Sequence, residues 1–173
     1  MTFIESETIE LKSSVVADLW KEVIAFDNTR GGTLYIGVED NGTVIGVDSA
    51  DRVTLQINNM VRDSIKPDIT MFVHYETQVI DDKQIIAVTV QEGTDRPYYL
   101  CSKWLKPSGV YVRKGSSTQP MTEEGIREML LQNSGRSYES GRSMNQDLTF
   151  QTLLEEMLKR SIEIGTAQMK TLK

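Results

Sequence analysis

F-D-N-T-R-G-G-T-L-Y-I-G-V-E-D-N-G-T-V-I-G-V, residues Phe26 to Val47, is the stretch whose reading decides the fold of this chain. Thr33–Val38 and Thr43–Val47 are rich in β-branched and aromatic residues, and Asp40-Asn41-Gly42 between them supplies the positive backbone angles of a tight turn. The segment therefore predicts a β-hairpin. Ahead of it, Asn28-Thr29-Arg30-Gly31-Gly32 reads as a helix stop, because Asn and Gly tolerate the left-handed conformation that ends a helix.

Working outward, Thr8–Lys12 alternates polar and apolar residues and predicts a short strand with Glu10 and Lys12 on one face. Asp18 is the expected N-cap of a helix whose apolar stripe (Leu19, Val23, Ile24, Phe26) runs to Asn28. After the hairpin, Asp48–Asp51 caps a second helix that Lys66-Pro67 stops. Thr70–Val79 and Gln84–Gln91 predict two strands joined by a hairpin at Ile80-Asp81-Asp82-Lys83, and Tyr98–Leu105 reads as strand-like. Pro107-Ser108-Gly109 turns the chain into a strand over Val110–Lys114, Gly115–Pro120 reads as a polar loop, and Thr122 caps a last helix to Asn133. These elements predict an α+β fold, a mixed and largely antiparallel sheet with hairpins and helices packed against it. The folded domain spans residues 1–133, and 134–147 reads as a linker rich in Ser, Gly, Arg and Asn. Residues 148–173 carry an amphipathic helix and a polar tail. They are expected either to begin a further module or to dock on a partner subunit.

With 173 residues and 39% hydrophobic content the chain can bury a core. No apolar run has membrane-spanning length, and the start lacks the basic-then-apolar pattern of a signal peptide, so a cytoplasmic protein without a membrane partner is expected. A single cysteine, Cys101, excludes an intramolecular disulfide framework and multi-cysteine metal sites. His74 stands alone in an alternating strand, which leaves no nucleophile–histidine pair. There is no phosphate-binding glycine loop of Walker or dinucleotide type, so no nucleotide-binding motif is found and conventional nucleotide hydrolysis is not expected. The net charge of −6 argues against coating nucleic acid by bulk charge.

Two constellations carry chemistry. Glu5, Glu7 and Glu10 lie close in sequence, and Glu39 and Asp40 sit at the hairpin tip. If the first strand pairs alongside the hairpin, the two groups converge into an oxygen-ligand site for Mg²⁺ or Mn²⁺. The plainer alternative is that these are solvated acids. Between Arg96 and Gln119, Arg96, Lys103, Lys106, Arg113 and Lys114 occur without an acid, interleaved with Tyr98, Tyr99, Trp104 and Tyr111. Basic groups neutralise phosphates and aromatic faces stack on unpaired bases. The alternative is a sheet rim covered by long basic side chains. Arg113-Lys114-Gly115-Ser116-Ser117-Thr118 adds a local anion site just ahead of a helix.

Three blocks, E-S-E-T-I-E-L-K, the F-D-N-T-R-G-G stretch through Val47, and Y-V-R-K-G-S-S-T-Q-P, together resemble the Schlafen AlbA-like domain from about Phe3 to Asn133. Bacterial members of that family carry the labels divergent AAA protein and transcriptional regulator. The resemblance implies an α+β nucleic-acid-binding domain, often followed by a winged helix. In members that cleave RNA it implies a three-carboxylate metal site, matched here by Glu5, Glu10 and Asp40. This chain departs from the animal enzymes in a shorter first helix and a different approach to the Y-V-R strand. It also lacks their zinc-binding cysteines and histidines.

Three functions follow as expectations. The first is a DNA- or RNA-binding domain of a regulator or defence protein, using Arg96, Lys103, Trp104, Lys106, Arg113, Lys114, Ser116, Ser117 and Thr118. The second is a metal-dependent endoribonuclease in which Glu5, Glu10 and Asp40 hold the metal and Lys12 steadies a phosphate. The third is a non-catalytic sensor or dimerisation module, the last admitting a homodimer.

Overall fold

The computed structural model describes residues 3–140 of the chain. In chain order the elements are β1 (Ile9–Lys12), α1 (Trp20–Asp27), β2 (Gly32–Ile36), α2 (Ala50–Ser64), β3 (Ile65–Lys66), β4 (Val73–Ile80), β5 (Lys83–Val90), β6 (Tyr99–Leu100), β7 (Tyr111–Lys114), β8 (Ser117–Pro120) and α3 (Glu123–Ser140). The main sheet has the order β1-β2-β5-β4. β1 and β2 are parallel, with Ile9 opposite Thr33 and Lys12 opposite Ile36; the other two pairings are antiparallel. A parallel pair needs a crossover, and α1 provides it. The fold is α+β with a mixed, largely antiparallel sheet.

Period-two alternation sorts the strands into two faces. Leu34 and Ile36 of β2 and Ile86, Val88 and Val90 of β5 point at Val23, Ile24 and Phe26 of α1 and Ile57 and Val61 of α2. The opposite face carries Leu11, Tyr35 and Ile85, covered by Phe3 and Val38. Phe3 meets Tyr35 edge to face, ring centroids 4.8 Å apart. The N-terminal segment thus caps the sheet's second face, and every large aliphatic so buried contributes about 1.5–3 kcal/mol.

The expected hairpin forms only at its tip. Gly42 N–H donates to the Glu39 carbonyl at 2.8 Å and Val38 bridges Val44, but residues 43–47 build no ladder along β2. A strand has two edges, and both edges of β2 are taken, by β1 and β5. Instead Gly37 (φ 97°) and Gly46 (φ 80°) bend the chain across, and Val47 N–H reaches the Gln84 carbonyl at 2.8 Å. The glycine stop behaves as read, with Gly31 at φ 75°. Gly32 has a second role: a Cβ there would lie 2.4 Å from the Phe26 ring and 2.8 Å from the Thr8 carbonyl oxygen. Gly32→Ala is therefore expected to destabilise by about 1–3 kcal/mol through overpacking. An unchanged urea midpoint would refute that account.

Four local expectations are corrected. Asp18 does not cap α1; the N-cap position is Leu19, without a side-chain cap bond, and the Asp18 carboxylate accepts from Lys21 Nζ at 2.7 Å. Burial of Leu19 fixes the helix start instead. Of the strand expected over Tyr98–Leu105 only β6 forms, paired with β3, and the chain from 101 to 109 is a loop. Gly115–Pro120 is not a loop: Gly115 (φ 60°) turns β7 back into β8, with Arg113 opposite Thr118. Thr122 Oγ1 does accept from Gly125 N–H at 3.1 Å, as a cap should, but α3 continues past Asn133 to Ser140. The rest of the expected linker, and the helix expected over 148–173, lie outside the described residues. Among the described residues no helix is long and apolar enough to cross a membrane.

Candidate functional site

The end of α1 is the point on which the later part of the domain hangs. Asn28 Nδ2 donates to the carbonyls of Tyr98 (2.9 Å) and Tyr111 (3.0 Å), and its Oδ1 accepts from Tyr98 N–H at 2.7 Å. Thr29 Oγ1 donates to the Ala25 carbonyl and accepts from Arg113 N–H at 3.0 Å. The Phe26 ring lies 4.9 Å from the Arg113 guanidinium carbon. F-D-N-T thus does more than stop a helix: it pins β6 and β7. Asp27 beside it is 0% exposed, and neither carboxylate oxygen has a hydrogen-bond partner. Burial pushes its pKa up to about 8, with the Arg96 charge pulling the other way.

Arg113, expected at a nucleic-acid surface, is an interior residue with its side chain 1% exposed. Its Nη1 donates to Glu10 Oε2 (2.8 Å), Glu22 Oε2 (3.2 Å) and Thr118 Oγ1 (3.0 Å). Nη2 donates to the Ser6 carbonyl at 2.7 Å and Nε to that of Glu7 at 3.4 Å. Thr118 in turn donates its hydroxyl proton to Glu22. Lys12 Nζ donates to Glu10 Oε1 at 2.5 Å and to the Leu11 carbonyl at 3.1 Å. Burial pulls the Lys12 pKa down, but the Glu10 hydrogen bond and the charges of Glu10, Glu22 and Glu5 outweigh it and hold it above its ordinary value. Burial pushes Glu22 up, against its bond to Thr118. Glu22 was missed in the sequence. Its one signal is the i, i+4 spacing to Phe26, which puts both on the α1 face that receives Arg113.

The strand carrying Glu10 does pair alongside β2, and the charges of Glu5 and Glu10 both reach Lys12, but the two do not form with Asp40 a group of three acids that could hold a metal ion. Glu10 stands opposite Leu34, whereas Asp40 lies past the end of β1, which stops at Lys12 opposite Ile36. Glu5 Oε1 accepts from Leu11 N–H at 3.3 Å. Asp40 is exposed in a shallow recess with Ser13, Glu39 and Asn41. Both Glu10 oxygens are held by the cations of Lys12 and Arg113. Among the described residues no three acids, histidines or cysteines are grouped so as to hold a metal ion. As arranged, the donor set does not fit a shared Mg²⁺ or Mn²⁺, which needs free carboxylate oxygens.

The basic segment is split in the same way. Arg96 is half-buried, tied to Glu92 at 3.0 Å and to the carbonyls of Asn28 and Thr29. Lys103, Trp104 and Lys106 are exposed on the loop 101–109. Lys114, Ser116 and Ser117 are exposed at the β7–β8 turn, while Thr118 is half-buried in the Arg113 network. The chain enters the loop after Leu100, closes it with Leu100 N–H on the Gly109 carbonyl (2.9 Å), and runs back as β7. The turn therefore lies away from the loop, by roughly 13 Å at about 3.3 Å per residue from Val110 to Lys114. Pairing of β3 with β6 adds Lys66, opposite Tyr99, to the loop's end of the molecule. Neither Lys103 nor Lys106 makes an ion pair with an acid among the described residues.

Two of the solved structures similar to this chain illustrate the likeness. One is the solution NMR structure of the N-terminal domain of a RecG-related protein from Nitrosomonas europaea, 26% identical, covering 66% of this chain and 82% of that one, with a TM-score of 0.49. The other is the crystal structure of the DIP2311 protein from Corynebacterium diphtheriae, 18% identical, covering 66% of this chain and 25% of that one, also with a TM-score of 0.49. No curated protein matches. The family model described as Schlafen, AlbA_2 matches residues 5–122, which takes in β1, the F-D-N-T hub, the loop 101–109 and the β7–β8 turn. This chain belongs to the Schlafen AlbA_2 family.

Proposed function

We propose that the domain binds nucleic acid, and that the loop 101–109 is its contact surface. The observation that carries this reading is a pair of lysines, Lys103 and Lys106, without acid partners among the described residues, on a loop held by its own backbone bonds. In a chain of net charge −6, such a local excess of positive charge marks a face of the described residues that attracts a polyanion. Membership of the Schlafen AlbA_2 family supports the same reading. Arg113 and Arg96 act indirectly, by fixing the segments on either side of the loop.

Fluorescence anisotropy with labelled DNA and RNA oligonucleotides tests it. Changing both Lys103 and Lys106 to alanine is expected to weaken binding tenfold or more at low salt, on the order of 1.4 kcal/mol. It should also lower the slope of log affinity against log salt by about 0.7–0.9 per lysine. Lys114→Ala, at the far turn, serves as the comparison and is expected to change little. If the protein binds neither DNA nor RNA at low salt, the reading fails. RNA cleavage that requires Mn²⁺ and stops with Asp40→Ala would replace it with the metal-dependent nuclease, a role that requires Glu10 to leave Lys12 and Arg113.

A further inference from the structure

Trp104 is 68% exposed, and the fold takes trouble to keep it there. Its backbone is left-handed, φ 60°, a conformation that a side-chain-bearing residue adopts only at a cost. The conformation is fixed from both sides. Trp104 N–H donates to the Leu100 carbonyl at 3.0 Å, and Lys106 N–H donates to the Trp104 carbonyl at 2.8 Å. Gly109 packs so closely that a Cβ would lie 2.4 Å from the Trp104 carbonyl oxygen. Cys101 N–H anchors the loop to the end of α2 through the Ser64 carbonyl at 2.7 Å. The other indole behaves differently: Trp20 is half-buried and packs edge-on against Tyr111 at 5.6 Å. One tryptophan is used for packing. The other is presented to solvent on a braced loop, with a lysine on either side.

We propose that Trp104 is a base-stacking residue that makes the domain selective for unpaired nucleotides, in DNA and RNA alike; this rests on the nucleic-acid reading above. Lys103 and Lys106 take the phosphates before and after one nucleotide, and the indole takes its base. In a duplex both faces of every base are covered by neighbours, so the indole reaches a base only by unstacking it, which is costly. An unpaired strand offers the same face at no such cost. Because the loop is already ordered, little conformational entropy is lost when the stack forms.

Three probes of equal length separate the contributions: labelled oligothymidylate, an abasic strand with the same phosphates, and a duplex. Oligouridylate repeats the first arm for RNA. The wild-type chain is expected to favour the base-bearing single strand over the abasic one by about 5- to 150-fold, the equivalent of the 1–3 kcal/mol typical of one base–aromatic stack. It is expected to prefer that strand to the duplex as well. Trp104→Ala should bring both ratios close to one while leaving abasic binding intact, and Trp104→Phe should restore most of the preference. Binding of the single strand should also quench tryptophan emission, a signal lost in Trp104→Phe because only Trp20 remains.

Selectivity that survives Trp104→Ala, or duplex bound as tightly as single strand, overturns the proposal while leaving nucleic-acid binding standing. Failure of every probe, the abasic strand included, overturns both readings. If the free protein self-associates in sedimentation and Trp104→Ala abolishes this without changing selectivity, the indole is instead a contact between copies.

Discussion

Arg113→Ala is expected to destabilise the domain by about 3–5 kcal/mol, seen as a lower urea midpoint with little change in slope. The wild-type guanidinium has a partner for each of its nitrogens: the Glu7 carbonyl on Nε, the Ser6 carbonyl on Nη2, and Glu10, Glu22 and Thr118 on Nη1. Removing it leaves two carboxylates facing each other in a place where burial already disfavours the charge on Glu22. Lys12 hydrogen-bonds Glu10 only, and reaches Glu22 through its charge without a hydrogen bond. Arg113→Lys keeps the charge but not the five-donor fork, so an intermediate loss is expected. Removing the stranded charges as well, with Glu10→Gln and Glu22→Gln, should recover part of the alanine penalty. A single alanine variant as stable as wild type would show that the network contributes nothing. The same numbers bear on function. Loss of nucleic-acid binding in an Arg113 variant reports loss of the fold, so Lys103, Trp104 and Lys106 are the positions at which binding can be read.

The contrast between Arg113 and Lys103 shows what the sequence could and could not convey. Alternation and turn residues are local properties, and they gave the main strands, both central helices and the turn at Asp81-Asp82, whose φ values are 49° and 60°. Partner choice is not local. Thr43–Val47 has strand composition, but β2 had no free edge to offer it. The polar run Gly115–Pro120 has loop composition, but pairing with β7 makes it a strand. Charge carries the same ambiguity. Arg113 and Lys114 are neighbours on one strand, and alternation sends the first into the protein and the second to solvent. A stretch with five basic residues and no acids looks like one surface in sequence. In space it is an interior tie, a braced loop and a distant turn. The acids fare likewise: Glu10 lies beside β2 as expected, but its oxygens face Lys12 and Arg113, and the residue that completes the cluster is Glu22.

Asp27 provides the second large effect, and its sign is set by burial. The folded-state pKa of about 8 stands far above the ordinary value of 3.8. Between those two values the unfolded chain has lost the proton and the folded chain still holds it. Unfolding therefore releases a proton, and stability falls as pH rises through that window, by about 1.4 kcal/mol per pH unit at the steepest. The contribution is fully present below pH 4 and gone above pH 8 or so, a total loss of about 6 kcal/mol. Relief by neighbours is limited. Arg96 supplies the nearby positive charge, but its guanidinium already serves Glu92 and the carbonyls of Asn28 and Thr29. Gly93 and the Tyr98 ring close the site: a Cβ on Gly93 would lie 2.1 Å from that ring and 2.8 Å from Asp27 Oδ1. Asp27→Asn removes the titration while keeping the shape. Its amide meets the same lack of partners at every pH, so the variant's absolute stability is less informative than its slope. Urea denaturation from pH 5 to pH 9 should show the wild type losing stability steadily and the variant remaining much flatter over the range, the two curves separating by several kcal/mol. Parallel curves would mean that Asp27 is ionised in the folded state, and that some group or water supplies the hydrogen bonds its carboxylate lacks here.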